Sequence, residues 1–394
     1  MSTTNKELVE KAIITANDLA AGGKLNPQQS DKFLQYVFDE TKLTGLVRQV
    51  KFRNEQAYLD KIGVGKRVAV PKAEATDPGL RRGVTTGRVT LTPKEIMVPF
   101  EIGDNFLEWN IEGEPVEDTI IKMMSAQLAN NVEELALTGD ILGPAVIEGD
   151  IIEGGDVSKV IKDAYLALMD GWIRQADSGH VIDAANGAID SSLLNKLLNG
   201  LPTKFRKDRN LIKYLTSADV EQNYREKVST RTTALGDQAL QQNVNLTPFG
   251  VELVPVPLFP GNTPVTQHLS LPGTTDVALR YKPIVSGSEI VTVQTLGATP
   301  TTPLVKDTDY TINYTTGVIA RKAGADPLLV KVTYQAKPQI LLTPYNNLIL
   351  AIGRDIRIEK DRDIFKGVNM YAITLKVFAG IEEIDATAKL VNIG

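Results

Sequence analysis

One run of this chain sets a length that the rest of the fold has to accommodate. Val116, Ile120, Met124, Leu128, Val132 and Leu135 recur three or four residues apart, which places them along one side of an α-helix. Pro115 suits the first helical position, where its missing N–H is not needed. Gly139 suits the residue just past the end. A helix over 115–138 is about 36 Å long at 1.5 Å per residue, well beyond the mean of ~11 to 12 residues. The fold must contain a body wide enough to support such a rod.

Before this helix the pattern changes twice. Residues 7–19 and 28–46 carry helical spacing, the second with Phe33, Val37 and Phe38 on one side, and are divided by Gly22-Gly23 and Asn26-Pro27. From 52 to 102 the chain alternates, with Val68 and Val70 ahead of a turn-rich tip and Val89 and Leu91 behind it. That predicts a long two-stranded excursion. An isolated hairpin is marginal in water, so it should lean on something else, and another subunit is the natural support.

After the long helix, Asp156 suits an N-cap. Val157, Val160, Ile161, Ala164, Tyr165, Leu168, Met169 and Trp172 then form a broad apolar stripe that predicts a further helix. Shorter helices are expected over 191–198 and 218–228. From 263 to 337 the composition turns to Thr, Pro, Gly and Val, and three segments alternate strictly. Their inward set is Val291, Val293, Tyr310, Ile312, Val330 and Val332, with Thr315-Thr316-Gly317 as a hairpin turn. This block reads as a small all-β module inside an α+β host. The strands expected beyond it have to pair with host elements far back in the sequence.

The chain has 394 residues, 42% hydrophobic and 23% charged, which fits a globular protein of two or three folding units. Its net charge of -5 excludes the strongly basic class of nucleic-acid binders. It has no cysteine, so disulfides, thiolate ligands and thiol nucleophiles are excluded. No apolar run approaches the ~18 to 20 residues of a membrane-crossing helix, and the start lacks a signal-peptide pattern. The chain is therefore expected to be neither exported nor anchored.

Few residues of the chain stand in patterns that carry chemistry. His180 and His268 are the only histidines, without HExxH spacing, and a structural or solvent-facing role is the plainer reading. Carboxylates in 148–156 could meet a hard cation, but the glycines there read as an exposed turn. "GVGKR" at 63–67 fails the phosphate-loop spacing, because Asp60 takes the first glycine position and Arg67 that of Ser/Thr. No G-x-S-x-G elbow is present. The basic run "KFRKDR" at 204–209 reads first as a solvated loop, and the Asn-x-Thr sites at Asn245 and Asn313 matter only on a secretory route. No catalytic, metal-binding or cofactor-binding residue is assigned; self-association explains the projecting elements better than turnover.

In the order of these parts the chain resembles the major capsid proteins of tailed bacteriophages, the Hong Kong 97-type capsid fold. "LPTKFRKDRNLIKYLTSADVEQNYREKVSTRTTALGDQAL" followed by "FGVELVPVPLFP" looks like the axial passage of that family. "TPYNNLILAIGRDIRIEKDRD" followed by "YAITLKVFAGIEEIDATAKL" looks like its C-terminal return. The resemblance implies an N-terminal arm over 1–51, an E-loop hairpin over 52–102, and a peripheral domain over 103–184 whose spine helix spans 115–138. It further implies an axial domain over 185–262, an inserted Ig-like or sandwich-like β domain over 263–337, and a C-terminal return over 338–394. In a shorter relative "VPVPLFP" and "TPYNNL" would be contiguous.

What the resemblance implies about function is a shell. Hexamers and pentamers of this chain would enclose double-stranded DNA without sequence-specific binding, as a virion component assembled in the host cytoplasm. A separate scaffold, a portal and decoration proteins are the expected partners, and no membrane is. The E-loop residues Lys66, Arg67, Lys72, Arg81, Arg82 and Arg88 are expected to lie over an acidic surface of an adjacent subunit. Some family members crosslink an E-loop lysine to an asparagine. Lys66 or Lys72 and Asn346 or Asn347 have the right chemistry, but no motif selects them and no bond is assigned. The alternatives are an encapsulin-type nanocompartment with the same fold, a tail or baseplate component, and a hydrolase carrying an inserted β domain.

Overall fold

In the computed structural model the described residues are 13–14, 43, 45–51, 57–63, 85–104, 115–141, 145–147, 160–230, 245–261, 264–271, 276–293, 302–322 and 328–394. The first elements are β1 (Ile13–Ile14), β2 (Arg48–Lys51), β3 (Ala57–Gly63), β4 (Thr85–Leu91), β5 (Lys94–Gly103) and helix α1 (Pro115–Thr138). The middle holds β6 (Ala145–Ile147), β7 (Val160–Lys162), α2 (Trp172–Gln175), β8 (His180–Asp183), α3 (Ser191–Gly200), β9 (Ile212–Thr216), α4 (Ala218–Ser229) and β10 (Glu252–Pro255). A run of strands follows: β11 (Pro264–Leu271), β12 (Val277–Ala278), β13 (Ile290–Val293), β14 (Thr302–Pro303), β15 (Tyr310–Asn313), β16 (Val318–Arg321) and β17 (Leu328–Gln335). The chain ends with β18 (Ile340–Pro344), β19 (Leu348–Asp363), β20 (Val368–Ile381) and β21 (Ala388–Val391).

Helix α1 lies against a five-stranded sheet ordered β1-β5-β20-β19-β2. Ile120, Leu128, Val132 and Leu135 are buried in one cluster with Ile96, Phe100, Ile373, Leu375 and Val377, and Met124 packs against it partly buried. Val116 lies in α1, but its side chain falls outside the described set. Two glycines let the helix end meet the chain that follows. A Cβ on Gly139 would stand 2.4 Å from the Met169 carbonyl oxygen, and one on Gly171 would stand 2.6 Å from that of Leu137. Trp172, beside this contact, is fully buried and donates its indole N–H to the Gly380 carbonyl at 3.1 Å.

A second five-stranded sheet, β10-β9-β18-β21-β8, carries α3 and α4. Leu194, Leu197 and Leu198 of α3 and Val220, Tyr224 and Val228 of α4 bury against Tyr214, Leu253, Ile340 and Leu390. Asp190 caps α3, its carboxylate accepting from the Leu193 amide at 2.8 Å. The strands of 264–335 form two further sheets, β11-β17-β13-β14 and β12-β16-β15, around a separate apolar cluster. Val291, Tyr310, Val330 and Val332 are buried there, Ile312 packs against them, and Val293 is half-buried. At the β15–β16 turn Asn313 accepts from the amides of Thr315 and Thr316, and Gly317 takes a positive φ of 66°.

Several expectations need correction. The stripe beginning near Asp156 is not one helix: β7 pairs with β6, a 3-10 turn spans Leu166–Leu168, and α2 is one turn long. The Asp163 carboxylate accepts from the amides of Tyr165 and Leu166, both at 3.1 Å, which starts a new turn in mid-stripe. Met169 is extended, with φ -158° and ψ 162°. Leu166, Met169 and Trp172 are buried all the same, so the apolar signal marked burial rather than period. Asp156 and Val157 lie outside the described residues.

Within the helix expected over 7–19, Ile13 and Ile14 form a parallel strand beside Glu101 and Ile102, because the open edge of β5 offers unpaired backbone groups. The end of the helix expected over 28–46 is a turn in which Leu43 accepts from the amides of Leu46 and Val47. Phe33, Val37 and Phe38 lie outside the described residues. Of the excursion expected over 52–102, residues 94–103 pair with β20 in the body sheet, because Ile96, Phe100 and Ile102 need a core to cover them.

Candidate assembly surfaces

Two hairpins present exposed side chains on the surface of the chain. In the first, β3 and β4 form a sheet that has two strands among the described residues, registered from Ala57 opposite Leu91 to Gly63 opposite Thr85. Its root is anchored: Leu91 is buried with Ile349 and Ala351, and Leu59 and Val89 pack against them. Its other face is open. Arg88 sits opposite Asp60 and grips it with two bonds, Nε to Oδ1 at 2.7 Å and Nη2 to Oδ2 at 3.4 Å. The guanidinium lies 4.8 Å from the centre of the exposed Tyr58 ring. The hydrogen bond from Arg88 holds the Asp60 carboxyl below its ordinary value of 3.8.

Arg88 is thus placed on the open face but already paired within its own hairpin. Lys66, Arg67, Lys72, Arg81 and Arg82 lie outside the described residues, as does the Val68–Val70 alternation.

The second hairpin is the ribbon of β19 and β20, whose paired residues run from Leu348 opposite Ile381 to Asp363 opposite Val368. At its tip the Asp363 carboxylate accepts from the amides of Phe365 and Lys366 at 3.0 and 3.2 Å. Gly367 supplies the positive φ of 66° that closes the turn. The turn is tied back by Arg362 to Asp104 at 2.8 Å. It presents Ile364, 81% exposed, and Phe365, wholly exposed. An exposed apolar pair on a well-bonded turn suits contact with another chain. No periodicity of the sequence marks it; its signal is an Ile-Phe pair inside the turn "DIFKG".

Several other candidates are committed internally. Asn347 is buried, its Nδ2 donating to Thr343 Oγ1, the Glu383 carbonyl and Thr387 Oγ1 while its Oδ1 accepts from the Glu383 amide; Asn346 is exposed. In the basic run, Arg206 donates to Asn199 and Arg209 to the Phe249 carbonyl, and Lys204 faces Asp385 at 3.9 Å. His180 lies on β8 opposite Ala388, and His268 on β11 opposite Lys331. Asn245 donates to Glu252 at 2.6 Å.

Among the described residues no group of three or more His, Cys, Asp or Glu could hold a metal ion. No helix among them is long and apolar enough to cross a membrane.

Comparison with known proteins adds independent findings. No family model matches the chain. Over 391 residues, 99% of both chains, it is 26% identical to "Putative prophage capsid protein YqbE" of Bacillus subtilis (strain 168). Among solved structures it is similar to the capsid of a native GTA particle, with TM-score 0.51 and 12% identity over 95% of this chain and 98% of that one. A chain of Microbacterium phage Oxtober96 aligns with TM-score 0.51 and 10% identity over 96% and 99%. One of Gordonia phage Cozz aligns with TM-score 0.50 and 10% identity over 96% and 95%. At these identities the structural likeness speaks for a shared fold.

Proposed function

We infer that the chain is a tailed-phage-type major capsid protein, a shell subunit of mixed α+β capsid fold. The observation that carries this is the likeness to the prophage capsid protein over 391 residues, 99% of both chains, on a fold that aligns over 95% of the chain with a particle capsid. Its role is structural: a closed shell repeats the same few interfaces, and each buries apolar area worth about 25 cal/mol per Å², so weak contacts add up over many copies.

In finer detail, hexamers and pentamers of the chain form a head enclosing double-stranded DNA, with a scaffold and a portal supplied by other chains, assembled in the host cytoplasm. Net charge of -5 suits a wall that does not bind phosphate at many points. The β3–β4 hairpin and its tip act as the E-loop, and Lys66, Arg67, Lys72, Arg81, Arg82 and Arg88 face acidic groups of a neighbour. The ribbon tip at Ile364 and Phe365 is a second contact between copies. The block over 263–337 is an inserted domain whose separate core supports that reading.

Electron microscopy with light scattering on the purified chain, alone and with candidate scaffold, tests this. Closed shells or rings of five or six are expected, and Arg81→Glu with Arg82→Glu should lower shell yield. DNA rather than protein cargo inside particles made in the host separates a head from a nanocompartment. A chain that stays monomeric under every assembly condition overturns the shell reading.

A further inference from the structure

A cleft of about 70 Å³ opens where the end of α1, helix α2 with the turn after it, strand β21 and the β12–β13 connection of the 264–335 block converge. Arg174, Arg280, Lys282 and Lys389 all line it, against Asp140 and Asp177. Three of the four cations are engaged. Lys389, only 5% exposed, donates to Asp177 at 2.6 Å and to the Ile173 carbonyl at 3.2 Å. Arg174 reaches Asp177 at 3.5 Å, and Arg280 uses Nη2 on Glu134 of α1 at 2.7 Å.

What remains is specific. Arg280 Nε is a buried donor with no hydrogen-bond partner, and Gln339 Oε1 is a buried acceptor with none, on a side chain whose residue is 4% exposed. The Gln339 amide cannot be reversed to cure this, since its Nε2 already donates to the Lys282 carbonyl at 2.5 Å. The Lys282 stem is held in place at Gly317, where a Cβ would come within 2.9 Å of it. Lys282 lines the cleft, and its positive charge acts on Lys389 there.

A buried polar group without a partner costs about 1–3 kcal/mol, and the cleft has room for more than one water. Its demands are three: negative charge for the cations, an acceptor for Arg280 Nε, and a donor for Gln339 Oε1. Chloride supplies only the first two. Sulfate at neutral pH has the oxygens but no O–H. We propose that this junction cleft is a binding site for a protonated oxyanion, hydrogen phosphate, which accepts from Arg280 and Lys282 and donates its O–H to Gln339. The site joins the 264–335 block to the spine helix, and it stands independently of the shell reading.

The test is calorimetric titration of the whole chain at pH 7 with inorganic phosphate, sulfate and chloride at matched ionic strength, on the natural sequence and on Lys282→Gln. Saturable phosphate binding is expected, about tenfold tighter than sulfate, the cost of leaving Gln339 unpaired. Lys282→Gln should weaken phosphate by about tenfold or more through loss of a charge-assisted bond while leaving the melting temperature in chloride unchanged. Equal responses to phosphate and sulfate, or a non-saturating response, mean that water alone fills the cleft and overturn the proposal. So does unaltered phosphate affinity in a folded Lys282→Gln variant. The phosphate-against-sulfate comparison needs no variant and holds whatever the variant's stability.

Discussion

The β3–β4 hairpin and the β19–β20 ribbon are both long antiparallel pairs of alternating sequence, yet their surroundings differ. The ribbon has β5 along one side and β2 along part of the other, and α1 beneath it. Its inward residues Tyr371, Ile373, Leu375 and Val377 are all buried. Among the described residues the hairpin sheet has two strands, and its open face carries an exposed ion pair and a ring contact. Pairing alone makes a strand; burial makes it stable. The ribbon is therefore a wall of the body that offers only its tip, whereas the hairpin offers a whole face for cover by another chain.

The largest expected effect breaks the ribbon at its base. Trp172→Ala removes a buried ring and the indole bond to Gly380, and should cost about 3–5 kcal/mol in a denaturant titration. Leu91→Ala acts where the two regions meet, against Ile349 and Ala351. A loss of about 2–5 kcal/mol is expected, with amide exchange in β3 and β4 rising far more than in β20; equal rises in both would dissolve the distinction.

Phe365→Asp sharpens the comparison from the other side. The residue touches nothing that the chain needs, so unfolding should shift by no more than about 0.5 kcal/mol, while shell yield under assembly conditions should fall several-fold. A fall in stability without a fall in yield would make the tip an internal element.

The smallest effect is a pH response confined to the hairpin. The Asp60 carboxyl is held below 3.8 by Arg88, so the unfolded chain takes up its proton first. The stabilisation is complete above the unfolded value and is lost as pH falls through the lowered folded one. Both groups are solvent-exposed, and screening keeps the effect slight. Hydrogen exchange should show β3–β4 loosening in that acid range before the ribbon does, and Asp60→Asn should abolish the difference.

Much of the candidate surface was open to sequence reading only in outline. Arg88 stood out as one of several basic residues on an alternating segment, but its partner Asp60 lies 28 positions away and no pattern names it. Phe365 was hidden for the opposite reason: an apolar residue between two strands reads as core until the turn around it is known. The junction cleft was invisible, since Arg280, Gln339 and Lys389 come from separate segments.

By itself the sequence determined what depends on neighbours along the chain. Spacing of three and four residues determined α1, and strict alternation determined β13, β15 and β17, because a side chain's face follows from backbone period alone. The tertiary structure decided which strand lies beside which: β5 next to β20, β21 next to β8, β18 next to β9. It also turned the stripe around 160–172 into a strand, a 3-10 turn and one turn of helix. Such choices turn on burial and on backbone groups far apart in sequence, as where Ile373 meets Val98, and no local period carries that information.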